Sequence, residues 1–258
     1  MEEIKKIKAI EIKHGESCGI EALVPRELPF TIYLNEEKLV ALLATPKELK
    51  ELAVGYLYSE GILKELADLK EVLVDEEKRT ISITTTKKIH LDKIIDRRFI
   101  TSGSGKGSSF FSVSDIKDIK KSDSKKTVSS SDVSLLMEAM YEKSELHKKA
   151  GGVHASAISD GKKIVTISED IGRNNTIDKV LGYCFLKGIK ADDKILLSTG
   201  RTSSEMLLKA ASTGIPIVVS RTAATDLAIQ AARELEITLV SYIRADAMRV
   251  YANEWRIT

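Results

Sequence analysis

Cysteine is nearly absent from this chain. Cys18 and Cys184 are the two among 258 residues, and they lie far apart, outside any CxxC or zinc-type spacing. That leaves neither a cysteine-built metal site nor a disulfide framework to read. Long apolar runs are also missing. None approaches the ~18 residues of a membrane-spanning helix, so no membrane partner is expected. An excess of one charge is lacking too. The 40 basic and 38 acidic residues leave a formal net charge of +2, which argues against a general nucleic-acid binder. Residues 1–13 alternate charged and aliphatic side chains without the apolar core of a secretory leader, so a cytoplasmic location is expected.

A hydrophobic fraction of 43% is ordinary for a globular chain and allows a sizeable core. Residues 1–45 read as strands: Ile4, Ile7, Ile10 and Ile12 sit among charged residues, and Phe30 to Leu34 has strand composition. Thr45-Pro46-Lys47-Glu48 reads as a capping box with proline opening the helix. Leu49, Leu52, Ala53, Tyr56 and Leu57 continue that helix, and Gly61 suits its end. A hairpin is expected from Val72 and Val74 to Ile81 and Ile83. The sequence then loses its apolar pattern. Residues 112–130, rich in Ser, Asp and Lys, read as a solvated linker between a domain over 1–111 and another over 131–258.

The second half alternates strands and helices. Val133 to Tyr141 marks a helix, Asp160-Gly161 a hairpin turn, and Ile177 to Phe185 a helix with Cys184 on its core face. Strand 194–198, helix 202–213, strand 215–220, helix 224–235 and strand 237–243 follow. The expected fold class is α/β, with a partly parallel central sheet in the second half and a smaller α+β N-terminal domain.

Several segments could carry chemistry. The loop Thr101 to Ser109 has small residues that let backbone N–H groups approach an anion, with Lys106 beside them. It also reads as a flexible surface loop, and its glycine spacing is not that of a P-loop. His154, after Gly151-Gly152, could be a base, a ligand or a satisfied core residue. Zinc-deaminase chemistry would need His-x-Glu there and a PCxxC downstream, and neither is present, so no metal is expected. Three turns place polar residues where strands end and helices begin. They carry Arg173; Gly200, Arg201, Thr202 and Ser203; and Arg221. Such turns can be mere caps, but three in one domain favour an anionic ligand. Past the last long strand, Tyr242 could stack on a base and Arg244 could pair with phosphate.

Five ordered blocks carry a resemblance: TPKELKELAVGYLYSEGIL, GGVHASAIS, EDIGRNNTIDKVLG, STGRTSSEMLLKAA and GIPIVVSRTAATDLAIQAARELEITLVSYIR. Together they resemble the formate dehydrogenase accessory family, the FdhD sulfurtransferases, over nearly the whole chain. The resemblance implies a C-terminal three-layer, cytidine-deaminase-like sandwich without zinc, and a homodimer. It implies transfer of persulfide sulfur from a cysteine desulfurase to molybdenum cofactor in its bis-molybdopterin guanine dinucleotide form, for the benefit of formate dehydrogenase. A guanine nucleotide is expected to occupy the same site. By the same resemblance Tyr242, Ile243, Arg244, Ala245, Asp246 and Ala247 match the stretch implicated in cofactor binding. Arg173, Gly200, Arg201, Thr202, Ser203, Arg221 and His154 would hold phosphates or line the site, together with Glu169.

Two positions depart from the family pattern. Aligning TSGSGKGSS on the family's CGxCG-like loop puts Ser104 at the cysteine that carries the persulfide and Gly107 at the second cysteine. A serine hydroxyl cannot hold a persulfide and is barely ionised where a thiol is partly thiolate. Asn174 stands where the family usually has histidine. The expectation is a chain that binds the cofactor and lacks the transfer step. The alternative is a non-enzymatic chaperone of molybdenum cofactor or guanine nucleotide.

Overall fold

The computed structural model describes residues 1–87, 89, 116, 119–244 and 247–258. The loop 101–109, with Ser104, Lys106 and Gly107, and the pair Ala245 and Asp246 lie outside the described residues.

Strands β1 (Ile4–Lys13) and β2 (Glu16–Pro25) form an antiparallel two-stranded sheet. The chain reverses at His14 and Gly15, both with positive φ, the twist that a tight hairpin requires. Strands β3 (Leu28–Leu34), β4 (Glu37–Ala44), β5 (Leu69–Asp75) and β6 (Thr80–Thr85) form a second sheet in the order β4-β3-β6-β5. Helix α1 (Leu49–Ser59) buries Leu52, Ala53 and Leu57 against it.

The expected start of α1 is not what forms. Glu48, in a left-handed conformation with φ 52°, precedes the helix and makes no side-chain cap. Thr45 is occupied elsewhere. Its N–H donates to Asp170 Oδ2 at 3.0 Å, its hydroxyl accepts from the Ile171 N–H at 3.3 Å, and its carbonyl accepts from Lys179 Nζ at 3.3 Å. The residue that reads locally as a cap is spent on joining the two halves. The helix end matches expectation: Gly61 has φ 71° and the Ile62 N–H donates to the Leu57 carbonyl at 2.8 Å.

The third sheet holds six strands: β7 (His154–Ser159), β8 (Ile164–Asp170), β9 (Ile195–Ser198), β10 (Ile217–Ser220), β11 (Thr238–Arg244) and β12 (Ala247–Ala252). Their order is β12-β11-β10-β9-β7-β8, with β9, β10 and β11 parallel. Alternate residues of each strand point to opposite faces. On one face Ile158, Leu196, Val218 and Leu239 pack under α4 (Arg173–Leu186), α5 (Ser204–Ser212) and α6 (Asp226–Glu234). On the other, Ala157, Leu197, Val219 and Val240 pack under α2 (Ser130–Lys143). A short helix, α3 (Glu145–Ala150), links α2 to the sheet. The mixed α/β class and the order of elements agree with the sequence reading. No described helix is long and apolar enough to cross a membrane. Burial pushes the Cys184 thiol up to about 11, in keeping with a core residue.

The end of the expected linker keeps exposed side chains but is docked on the C-terminal segment. Arg256 donates from Nη2 to the Ser124 carbonyl at 3.1 Å, and Val128, 5% exposed, bridges to Ile257. These polar residues use their backbone to pair with the C-terminal segment, a partnership that composition does not reveal.

The two halves meet where α1 crosses α4. A Cβ added at Gly55 would lie 1.7 Å from the Asp178 carbonyl oxygen, and one at Gly182 would lie 2.0 Å from that of Glu51. Backbone touches backbone, so nothing larger than glycine fits. Beside the crossing, Lys209 Nζ meets Asp178 at 2.9 Å and Glu60 at 3.1 Å, and the Ser59 hydroxyl donates to Asp178 at 2.7 Å. Burial opposes the Lys209 charge, but Asp178, Glu60 and Glu205 overcome it and raise its pKa. Gly55→Ala and Gly182→Ala are each expected to destabilise the protein by about 3 kcal/mol or more, because the clash is with backbone and cannot be relieved by a rotamer change. Thermal or urea unfolding measures it. A melting point unchanged in both variants refutes the close crossing.

Candidate functional site

Strands β8, β9, β10 and β11 all end at one edge of the six-stranded sheet, and β7 begins there. The helices that follow β8, β9 and β10 start at the same edge, so α4, α5 and α6 bring their N-termini together. This is the edge where parallel α/β sheets bind ligands.

A row of serines runs along that edge. Ser168, Ser156, Ser198 and Ser220 are in register across β8, β7, β9 and β10. Ser241 follows Val240, which pairs with Val219 just before Ser220. All five are buried. Their hydroxyls hold the loops above them: the Gly200 N–H donates to Ser198 at 3.1 Å, and the Thr222 N–H donates to Ser220 at 3.1 Å. Ser220 in turn donates to the Gly200 carbonyl at 2.7 Å. Ser241 Oγ has no partner. The register of this row was not legible in the sequence. Its trace is there: Ile167-Ser168, Leu197-Ser198, Val219-Ser220 and Val240-Ser241 each follow an apolar strand residue with serine, and β9 and β10 end on it.

On the α4 face, His154, Arg173 and Gly200 come together. A Cβ on Gly200 would lie 3.0 Å from Arg173 Cβ and 3.5 Å from His154 Nδ1, so the absence of a side chain lets both neighbours close in. Burial lowers the His154 pKa, the Arg173 charge lowers it further, and Asp170 works the other way. Arg173 Nε and Nη2 are buried with no hydrogen-bond partner. Beside it, the Glu205 carboxyl is raised by burial and hydrogen-bonds Asn174.

Among the other expected site residues, Ser203 and Glu169 make contacts within the fold. Ser203 caps α5, its hydroxyl accepting from the Met206 N–H. Thr202 is fully buried and bridges to Ala224, with Oγ1 unpartnered. Glu169 is occupied: its carboxylate accepts the Leu146 and His147 N–H groups at 2.8 Å each. Arg201 is exposed.

On the α2 face of the same edge lies a cavity of about 460 Å³, lined by Ser134, Met137, Tyr141, Arg221 and Arg244 among others. Arg221 donates to the Ile243 carbonyl at 3.0 Å and stacks 5.6 Å from the Tyr141 ring centre. Arg244 donates to the same carbonyl at 3.1 Å. Ile243 is buried, and Ala247 of β12 pairs with Arg244 of β11. Tyr242 has φ 54° at a register shift in β11, a left-handed conformation that costs roughly 1–2 kcal/mol. One face of its ring is taken by Arg249 at 4.3 Å. The α2 side of this cavity, with Glu138 and Glu142, was not legible in the sequence, because α2 is remote in the chain from β11.

The FdhD/NarQ family pattern matches residues 25–258. The chain belongs to that family. The sulfur carrier protein FdhD of Bacillus pumilus (strain SAFR-032) is 36% identical over 261 residues, covering 99% of this chain and 98% of that protein. The protein of the same name from Bacillus subtilis (strain 168) is 37% identical over 246 residues, covering 95% of this chain and 94% of that protein. A crystal structure described as a formate dehydrogenase accessory protein, from Desulfotalea psychrophila, superposes with a TM-score of 0.81 at 25% identity, covering 99% of both chains.

His154 offers a direct check on the α4 side of this candidate site. Its lowered pKa means that the unfolded chain binds a proton at His154 at a pH where the folded chain does not. Stability then falls as pH drops below about 6.5, the ordinary histidine value. NMR titration of the imidazole is expected to place its midpoint below that value, and His154→Gln is expected to flatten this part of the stability–pH curve. A midpoint at or above the ordinary value refutes the described environment.

Proposed function

We propose that this chain is a sulfur-carrier-type accessory protein of formate dehydrogenase whose second half binds molybdenum cofactor, in its bis-molybdopterin guanine dinucleotide form, as substrate. The observation that carries the reading is the α2-face cavity, where Arg221 and Arg244 stand beside Ile243. Two guanidinium groups at the rim of an open cavity suit a ligand bearing several phosphates. Family membership and the names of the Bacillus relatives support the sulfur-carrier part. The reading takes a cysteine desulfurase and formate dehydrogenase as partners, the cytoplasm as the compartment and a homodimer as the working form.

In the transfer step a thiol at position 104 would attack the outer sulfur of the desulfurase persulfide, releasing the desulfurase thiol, and would return to a thiol when that sulfur passes to the bound cofactor. Ser104 stands at that position. An alcohol oxygen forms no persulfide, so this chain binds the cofactor without carrying its sulfur. The same substitution favours a second reading, a non-enzymatic chaperone of molybdenum cofactor or guanine nucleotide.

Restoring the thiol separates the two. Ser104→Cys, incubated with a desulfurase and radiolabelled cysteine, is expected to acquire protein-bound label that a reducing thiol releases, while the unmodified chain acquires none. An unlabelled Ser104→Cys protein beside a labelled family member overturns the relay and leaves the chaperone. Calorimetric titration with GDP tests the binding half. Arg244→Ala is expected to weaken affinity at least tenfold, about 1.4 kcal/mol. Equal affinity in the variant rules out the α2-face cavity.

A further inference from the structure

The arginines of this edge are not equivalent. Arg221 and Arg244 both donate to the Ile243 carbonyl, and Arg201 is exposed. Arg173 differs from all three. Its Nε and Nη2 atoms are shielded from solvent, yet neither has a hydrogen-bond partner. These two atoms form the side-on edge of the guanidinium, which matches two oxygens of a phosphate or carboxylate group with parallel hydrogen bonds. A charged group whose donors are buried and unmet is costly, and native proteins rarely keep one without a ligand or ordered water.

The surroundings fit an oxyanion. Gly200 contributes no side chain where a Cβ would lie 3.0 Å from the Arg173 Cβ, 3.4 Å from its Cδ and 3.5 Å from His154 Nδ1, so nothing from Gly200 fills the space between the Arg173 stem and the imidazole. His154 is close by and held toward its neutral form, so it can donate one hydrogen bond without adding charge. Asp170, whose charge acts on His154, is already committed: it pairs with Lys179 at 2.7 Å and accepts from the Gly172 N–H and Asn175 Nδ2 at 2.8 Å each. It does not compete for Arg173.

We propose that Arg173, His154 and Gly200 form an oxyanion-binding subsite on the α4 face, separate from the cavity on the α2 face, that takes a phosphate or carboxylate group edge-on through Arg173 Nε and Nη2. It does not depend on the sulfur-carrier reading, because it rests on unmet donors on the other side of the sheet.

The probes are inorganic phosphate and acetate, added to the full chain while the His154 imidazole is followed by NMR. A bound anion offsets the Arg173 charge, so the His154 midpoint is expected to rise. A shift with phosphate alone assigns the site to phosphate groups, one with acetate alone to carboxylates, and one with both to either. No shift with either ion at millimolar concentration overturns the proposal. Arg173→Lys keeps the charge and loses the fork, so it is expected to weaken the ion at least tenfold, while Arg221→Gln leaves the His154 response unchanged. Equal affinity in Arg173→Lys, or loss of the response in Arg221→Gln, also overturns it. If Arg173→Lys does not fold, the wild-type His154 shift alone decides. Failure here leaves the GDP and Ser104→Cys results standing, and the reverse holds as well.

Discussion

The fold depends on one buried ion pair. Lys179 and Asp170 meet at 2.7 Å with both side chains fully buried. Two charges taken from water repay their desolvation only when the remaining hydrogen-bonding positions are filled, and removing one partner of such a pair typically costs 3–5 kcal/mol. Here they are filled from both halves of the chain. Thr45 supplies an N–H to Asp170 and a carbonyl to Lys179, while Asn175 bridges Asp170 to the Leu43 carbonyl. The pair works as a clasp: neither half can satisfy it alone, so the N-terminal sheet is fixed against the end of β8.

That clasp stands next to the chemistry. Asp170 ends β8, Gly172 and Arg173 open α4, and His154 at the start of β7 pairs with Asp170. The ion pair, the helix start and the candidate oxyanion subsite therefore share a few consecutive residues. The glycine-to-glycine crossing of α1 and α4 extends the same junction. A change that loosens the junction is expected to reach Arg173 before it reaches the outer strands.

Much of this was legible in the sequence. The alternating strands and helices of the second half follow from hydrophobic period, and the turns at Asp160-Gly161 and Gly61 from residues that tolerate positive φ. The clustering of Arg173, Gly200 and Arg221 along one edge follows from three strand-to-helix turns in a parallel sheet. What escaped was set by distant partners. Thr45 looks like a cap because its neighbours in sequence suit one, yet its bonds go to Asp170, Ile171 and Lys179. Ser203 and Glu169 look like ligand groups and are helix caps. The arginines look alike until their acceptors are known, and only the folded chain separates Arg221, which has one, from Arg173, whose fork has none.

The serine row has a chemical consequence. A floor built of hydroxyls has no redox state and carries no charge to gain or lose across the physiological pH range. Cys184 lies in the core and Cys18 on the exposed first hairpin, so neither thiol belongs to that floor. Oxidants would find nothing to modify in the five serines. The serine floor is inert by composition, and reactivity is left to the side chains and ligands that stand on it.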